Sequence, residues 1–576
     1  MRNTLQQTGF IIGVAVAAST LVGSAAVAGE PSPSRQLRTG REYVVTFTGS
    51  AADATGAIVD AGGTVLAVNE AMHVALVAPP STTLLAAVRP PSILTGVARN
   101  RAIGTVTADR PRRFAEEYPE VSGPPVPVEQ ALAARAQARA VPRAPSLKKE
   151  EPLNALQWDM QMIGANANGA HLKATGRKVL VGVIDTGVDG LHPDLKPNFD
   201  KKRSRNFTVD IPAIDGPCED PTCVDPANVD DGGHGTHVAG TIAAKRNNFG
   251  IAGVAPRAKI VNVRAGQDSG YFFLYETLAA LTYAADIGLD VVNMSFYVDP
   301  WLFNCASADD YLAGAVTPDE IVEQALVKEL VTSALLYAHD HGVVLVASAG
   351  NEHVDLAAST RSDGNSPDYP PGVAQGRIVT NACAIMPGEG PNVIGVSSVG
   401  PSTTKADYSN YGYPNIEISA PGGWFRDFFG SPQYRTNANL VLSTYPLHVA
   451  IAEGLADANG DPLSDASVKV CSSNGKKCGF YTYLQGTSMA APHVAGVVAL
   501  IVDRFGHAAP GGQQLDTAIV RDILLSTATD HECPAGGIED YADEGRPAEY
   551  DAVCDGTSAN NGLYGEGIVN ALAAVQ

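Results

Sequence analysis

Four short segments carry side chains that could act together on a polarised carbonyl. Asp185 closes the apolar run Val181-Gly-Val-Ile184 and is followed by Thr186-Gly187. His234 stands among glycines in Gly233-His234-Gly235-Thr236-His237-Val-Ala-Gly240. Ser488 opens an apolar stretch, Gly486-Thr487-Ser488-Met489-Ala-Ala-Pro492-His493-Val-Ala-Gly496, and Asn351 ends Ala347-Ser348-Ala349-Gly350-Asn351. A serine hydroxyl is a poor nucleophile at neutral pH. It needs an imidazole to take its proton and a carboxylate to fix and stabilise that imidazole. Backbone N–H groups at a helix start, joined by an asparagine amide, can stabilise the oxyanion that attack on a carbonyl produces. The chemistry these parts spell is acyl transfer. The glycine-rich run around His234 lacks the preceding strand and the G-x-G-x-x-G spacing of a nucleotide loop. His237 and His493 are expected to serve structure rather than chemistry.

The elements that must position these groups read as an α/β fold. Strand-like runs occur at Val179–Ile184, Ile260–Arg264, Val291–Phe296, Val343–Ser348, Val393–Val399 and Ile416–Ala420. Helix-like segments occur at Thr236–Lys245, Leu274–Ile287, Ile321–His339, Met489–Arg504 and Thr517–Ser526. Continuous Val/Ile/Leu strands alternating with helices predict a doubly wound parallel sheet, whose active site lies at the carboxyl ends of its strands. Ahead of it, residues 41–107 read as a small α/β unit. Its strand is Tyr43–Phe47 and its helix Ala51–Asp60, closed by Gly62-Gly63. Further strands are expected at His73–Ala78 and Ile93–Val97, with a second helix near Thr82–Val88. Residues 108–150 have the Pro/Ala/Arg/Glu composition of a linker.

The order Asp, His, Ser, with the three motifs and Ser348-Ala349-Gly350-Asn351, closely resembles the subtilisin-like serine peptidases, or subtilases. Ala255-Pro256, Val292-Asn293-Met294-Ser295, Tyr408-Ser409-Asn410-Tyr411-Gly412, Ser419-Ala420-Pro421-Gly422 and Gly565-Glu-Gly567-Ile-Val-Asn570-Ala571 also look like family segments. The resemblance covers about residue 152 to the end. It implies a subtilisin-like catalytic domain over 151–576, needing no cofactor for its chemistry. Asp185, His234, Ser488 and the oxyanion donor Asn351 would be its catalytic residues. Residues 29–107 resemble the family's inhibitory prodomain, so the domain acts as its own intramolecular inhibitor until cleavage near 145–152, beside Lys148-Lys149.

The resemblance further implies a polypeptide substrate bound in extended form as an added strand. Asp268-Ser269-Gly270 would flank it on one side, Ser295-Phe296-Tyr297 on the other, and Ala347, Ser348, Ala349 and Gly350 would line the primary pocket. The family's Leu-Gly-Gly-type turn is replaced here by Phe296-Tyr297-Val298-Asp299-Pro300, whose bulk could narrow the wall. The loop Lys245–Ile251 has the length of the family's calcium loop, with Asp194 as partner, so Asp194 and Asn247 are candidate ligands for a structural calcium. Asp457-Ala-Asn459-Gly-Asp461 spaces oxygens at alternate positions but reads as a polar turn.

Residues 1–28 read as a secretory signal. Arg2 precedes the apolar run Phe10–Val22, and Ala26-Val27-Ala28 is a small-residue cleavage site. No later apolar stretch is expected to span a membrane. Eight cysteines in an exported chain favour disulfides. Cys218/Cys223 and Cys471/Cys478 are spaced to clip single loops. Cys533 and Cys554 would enclose an acidic loop, and Cys305 and Cys383 remain. Spacing alone does not fix this pairing, and zinc-type spacing is absent. The net charge of −21 argues against nucleic acid as a partner. That charge is divided: residues 1–150 carry +4 and the remainder −25. The reading is a secreted, monomeric serine endopeptidase made as a preproenzyme. Its rivals are an inactive scaffold of the same fold and an esterase using the same three residues, although the usual G-x-S-x-G elbow is absent.

Overall fold

The computed structural model describes residues 42–78, 87–88, 92–100, 130, 150–314, 316–363, 376–509 and 512–576. The signal-like segment, most of the linker and residues 82–86 of the expected second N-terminal helix lie outside this range.

Seven strands form the central sheet. Their spatial order is Ile418–Pro421, Val393–Val399, Val344–Ser348, Val291–Met294, Leu180–Ile184, Lys259–Arg264 and Arg205–Asn206. Every pairing is parallel. The strands are apolar on both faces because helices cover both. One core layer holds Val181, Val183, Val346, Ile394 and Val396 under the helices His234–Ala243 and Thr487–Phe505. The other holds Leu180, Ile184, Val292, Met294 and Leu345 under Leu274–Asp286 and Pro318–Asp340. Most expected elements recur within two residues of their bounds, and Thr517–Ser526 recurs unchanged.

Pro318–Asp340 starts three residues earlier than expected. Thr317 caps it by accepting from the Glu320 N–H, and Glu320 reaches back to the Thr317 N–H. Thr487–Phe505 is long and apolar enough to cross a membrane by composition, which the sequence reading did not anticipate. It is a core helix: every residue from Thr487 to Val502 is buried.

The N-terminal unit is a four-stranded antiparallel sheet ordered Val65–Asn69, Val74–Val77, Tyr43–Phe47, Leu94–Arg99, with the helix Ala51–Asp60. The strand Val65–Asn69 was not expected. Alternation divides its side chains between two layers. Val45, Phe47, Ala75 and Val77 pack with Ala54 and Ile58 of its own helix. Val44, Val74, Leu76 and Ala98 join the core beside Leu274, Leu278, Leu281, Val327 and Leu330. This unit is seated on two helices of the larger domain.

An antiparallel sheet of Val441–Tyr445, Cys478–Leu484 and Ser467–Cys471 was also unexpected. It braces the histidine helix: Ser443 Oγ donates to the His237 carbonyl and Thr444 Oγ1 to that of Thr236, both at 2.7 Å. All eight cysteines are paired, as Cys218–Cys223, Cys305–Cys383, Cys471–Cys478 and Cys533–Cys554. Cys305–Cys383 ties the segment after Val291–Met294 to the insertion that follows Asn351.

Candidate active site

The register of the sheet assembles the site. Ile184 pairs with Met294, and Met294 with Ala347. Asp185, Ser295 and Ser348 therefore stand side by side where three adjacent parallel strands end.

His234 is the first residue of its helix, preceded by Gly233 at φ +85°. A side chain at Gly233 would strike the Tyr445 ring, and one at Gly235 would overlap the Gly187 carbonyl and crowd Asp185. These glycines let the helix start lie directly on the turn after Asp185. His234 Nδ1 is 2.8 Å from Asp185 Oδ1, and both side chains are fully buried. Burial raises the carboxyl pKa of Asp185, and the facing imidazole opposes the rise. The Thr186 N–H, donating to Asp185 Oδ1 at 2.7 Å, also favours the carboxylate.

Asp230 organises this end of the helix, and the sequence reading missed it. Its Oδ1 accepts from the Gly233 N–H at 2.9 Å and from Thr186 Oγ1 at 3.0 Å, while Oδ2 accepts from the Thr236 N–H and hydroxyl. A buried carboxylate at a helix N-terminus satisfies otherwise orphaned donors and meets the positive dipole end. The available signal was an acid four residues ahead of His234.

Ser488 is the second residue of its helix and is 3% exposed. Gly486, at φ +146°, makes the turn into it. Pro492 has no N–H to give to the carbonyl four residues back, which is that of Ser488. That carbonyl instead accepts from Ser295 Oγ at 3.0 Å, and Ser295 in turn accepts from Asn293 Nδ2 at 2.9 Å. The proline of the motif thus frees the acceptor that binds the serine's main chain to the strand end beside Asp185.

Asn351 is held by the same helix start. Its Oδ1 accepts from both the Thr487 N–H and hydroxyl at 2.9 Å, and Thr487 Oγ1 accepts from the Gly350 N–H at 3.1 Å. These bonds fix which end of the amide is the oxygen and which is Nδ2, the donor end. Thr487, like Asp230, escaped sequence reasoning.

Both other histidines of the motifs are structural in their contacts. His237 Nε2 lies 3.1 and 3.2 Å from the Val441 and Thr482 carbonyls, and burial lowers its pKa to about 3. His493 bridges the Met489 carbonyl and Asp159.

Both flanking segments carry side chains that are already engaged. Phe296 does not present its ring to the cleft. It is 5% exposed and stacks on Phe272 at 4.0 Å with the planes 2° apart, so its bulk is spent beneath the loop. Asp268 pairs with buried Arg264 at 2.6 Å, and both the N–H and the hydroxyl of Ser269 donate to Asp215 Oδ1, at 3.1 and 2.7 Å. Ala347, Ser348 and Ala349 are largely buried at the end of their strand. Beyond Gly350 the strands Thr360–Asp363 and Arg377–Thr380 join the earlier strand Tyr311–Ala313 in a separate sheet, pinned by buried Arg361–Glu389 and Arg377–Asp363 pairs.

Asp194 and Asn247 do meet, at 3.0 Å, but as hydrogen-bond partners rather than co-ligands. Asn247 turns its NH2 to the carboxylate, while the Ile251 N–H and the Tyr481 hydroxyl donate to the other oxygen at 3.0 and 2.8 Å. Three of the carboxylate's roughly four lone-pair directions are therefore filled by donors. Burial raises the Asp194 pKa to about 7. Asn247 Oδ1, beside this carboxylate, is a buried acceptor without a hydrogen-bond partner. Asp457–Asp461 is a surface turn closed on Asp457 Oδ1 and bonded by Lys469.

Comparison with known proteins agrees with this architecture. The family profile described as the subtilase family matches residues 176–558. The chain is 30% identical over 387 residues to fervidolysin of Fervidobacterium pennivorans, a match covering 66% of this chain and 41% of that protein's length. It is 27% identical over 358 residues to subtilisin DY of Bacillus licheniformis, covering 62% and 85%. Among solved structures, the epidermin leader peptide processing serine protease of Staphylococcus aureus superposes with a TM-score of 0.59 at 21% identity, covering 93% and 97% of the two chains. The crystal structure of fervidolysin gives 0.54 at 23% identity, covering 94% and 61%. The chain belongs to the subtilase family of serine peptidases.

Proposed function

We propose that the chain is a secreted serine endopeptidase made as a self-inhibited zymogen. The observation that carries this is the buried 2.8 Å pair of His234 and Asp185 beside the serine helix, whose start also holds Asn351. Asp185 accepts from Nδ1–H and fixes the tautomer, which leaves Nε2 as the base. Ser488 Oγ attacks the scissile carbonyl as His234 takes its proton. The resulting oxyanion is met by Asn351 Nδ2 and the Ser488 N–H. His234 then protonates the leaving amine, and the acyl-enzyme is hydrolysed by water activated in the same way.

The substrate lies extended between 268–270 and 295–297, bound through main-chain hydrogen bonds. The small N-terminal domain is the inhibitor. Its seat on Leu274–Asp286 and Pro318–Asp340 supports that role, together with the forked Arg99–Glu323 pair at 2.6 Å. Four disulfides and the signal-like N-terminus support export.

Casein and a simple ester, offered to the matured chain and to its Ser488→Ala variant, test the proposal. The expected result is casein hydrolysis that vanishes in the variant. Ester cleavage without casein cleavage would make the chain an esterase, and no turnover of either would make it a scaffold.

A further inference from the structure

The segment 408–412 supplies no reacting group, yet it runs beside the turn that carries Asn351. The His353 N–H donates to the Tyr408 carbonyl at 2.8 Å, and the Tyr411 N–H to the Val354 carbonyl at 3.0 Å. Asn410 stands in this segment and is fully buried. Its main-chain N–H donates to the Gly350 carbonyl at 3.0 Å. Its Oδ1 accepts from the N–H groups of Glu352 and Val354, at 3.1 and 2.8 Å. Its Nδ2 donates to the Ala349 carbonyl and to Glu352 Oε2, both at 2.9 Å.

The Gly350 carbonyl belongs to the peptide unit ahead of the Asn351 Cα, and the Glu352 N–H to the unit behind it. One residue therefore fixes both peptide planes that set the direction of the Asn351 side chain. Thr487 holds the oxygen of that side chain, so Asn351 is clamped at its main chain by Asn410 and at its amide by Thr487. The task demands an amide. Two N–H groups need an acceptor, while a carbonyl and a carboxylate need a donor. A primary amide offers both functions, and here two acceptor and two donor sites are all used. Gly350, at φ +101°, carries no side chain where one would strike Asn410 Nδ2 and Glu352 Oε2, so the close approach depends on glycine.

We propose that Asn410 is a positioning residue of the oxyanion hole. It acts through Asn351, setting where Nδ2 points before charge develops on the scissile carbonyl. The proposal rests on the peptidase reading of the site. A preorganised donor does its work only in place, and a small misplacement of such a group costs much rate.

The test measures kcat and KM of the matured chain on a peptide anilide. kcat is taken per site titrated with a fluorophosphonate, so that unfolded molecules do not count. Asn410→Asp keeps the shape and the acceptor but turns an oxygen toward the Ala349 carbonyl and Glu352. It should lower kcat about 10- to 100-fold with KM within about twofold. Asn410→Ser, smaller and uncharged, should do the same, and it takes the place of Asn410→Asp if that variant does not fold. On the Asn351→Leu background either substitution should cost less than about twofold. Adding Glu352→Gln to Asn410→Asp supplies the donor from the other side and should restore kcat at least about threefold. The proposal is overturned if a folded Asn410 variant keeps the parent's kcat, if its loss falls on KM instead, or if the loss persists in full on the Asn351→Leu background. Inactivity of the parent toward the anilide would overturn the peptidase reading, and this proposal with it.

Discussion

Thr487→Val removes one hydroxyl from the start of the serine helix and changes little else in shape. In the structure that hydroxyl supplies one of two donors at 2.9 Å on Asn351 Oδ1 and accepts from the Gly350 N–H. The Thr487 N–H remains to hold the amide. A net hydrogen bond is worth about 1 kcal/mol, so the held orientation of Asn351 loses about fivefold in population relative to its competitors. The loss of the Gly350 partner adds a similar amount at most. kcat should therefore fall about 5- to 30-fold with KM within about twofold, because the donor acts on the oxyanion rather than on the bound substrate. The ceiling is removal of the donor itself. Asn351→Leu should cost about 100- to 1000-fold in kcat. The assay is a double-mutant cycle in kcat on a peptide anilide. If Thr487 acts through Asn351, Thr487→Val on the Asn351→Leu background should cost less than about twofold. Full additivity of the two substitutions would refute the reasoning.

Asp290 is 8% exposed, its carboxylate accepts from the Leu180 N–H at 2.7 Å, and burial raises its pKa to about 7. Its folded value lies above its unfolded one, so this group favours folding fully below about pH 4 and loses that contribution as pH rises through 7. Asp290→Asn should thus leave stability unchanged at pH 4 and increase it at pH 8, by at most about 4 kcal/mol for a shift of roughly three pKa units. Equal unfolding temperatures of the two chains at pH 8 would count against the burial argument. Arg99→Ala, in the segment 29–149 supplied to the matured enzyme, should weaken inhibition about 3- to 10-fold, since a half-exposed but forked ion pair contributes about 1 kcal/mol. An unchanged inhibition constant would place the recognition wholly in the apolar seat.

The order of strands and helices was legible because a sheet covered on both faces writes its strands as largely apolar runs, as Leu180–Ile184 does. The residues of the site were legible for a different reason. Asp185, His234, Ser488 and Asn351 each sit in a short, compositionally unusual segment whose glycines are forced by close packing, as the crowding around Gly233 and Gly235 shows. What escaped was whatever depends on partners remote in sequence. Val441–Tyr445 reads as a mixed polar segment because Ser443 and Thr444 spend their hydroxyls on a helix two hundred residues away. Asp230 and Thr487 are ordinary residues until their acceptors and donors are placed. Phe296 reads as a cleft wall until Phe272 is found beneath it, and the bonds that Asn247, Tyr481 and Ile251 give to Asp194 cannot be read from the length of a loop. Spacing can bring residues together, but it does not say which of their atoms are already occupied.

The central claim is that Ser488 is a nucleophile activated by His234. Treating the matured chain with a fluorophosphonate and mapping the adduct by mass spectrometry tests it most directly. The account predicts a single adduct on Ser488, absent from Ser488→Ala and formed at least about 1000-fold more slowly in His234→Ala. Labelling of Ser488→Ala at the parent's rate, or an adduct on another residue, would contradict it.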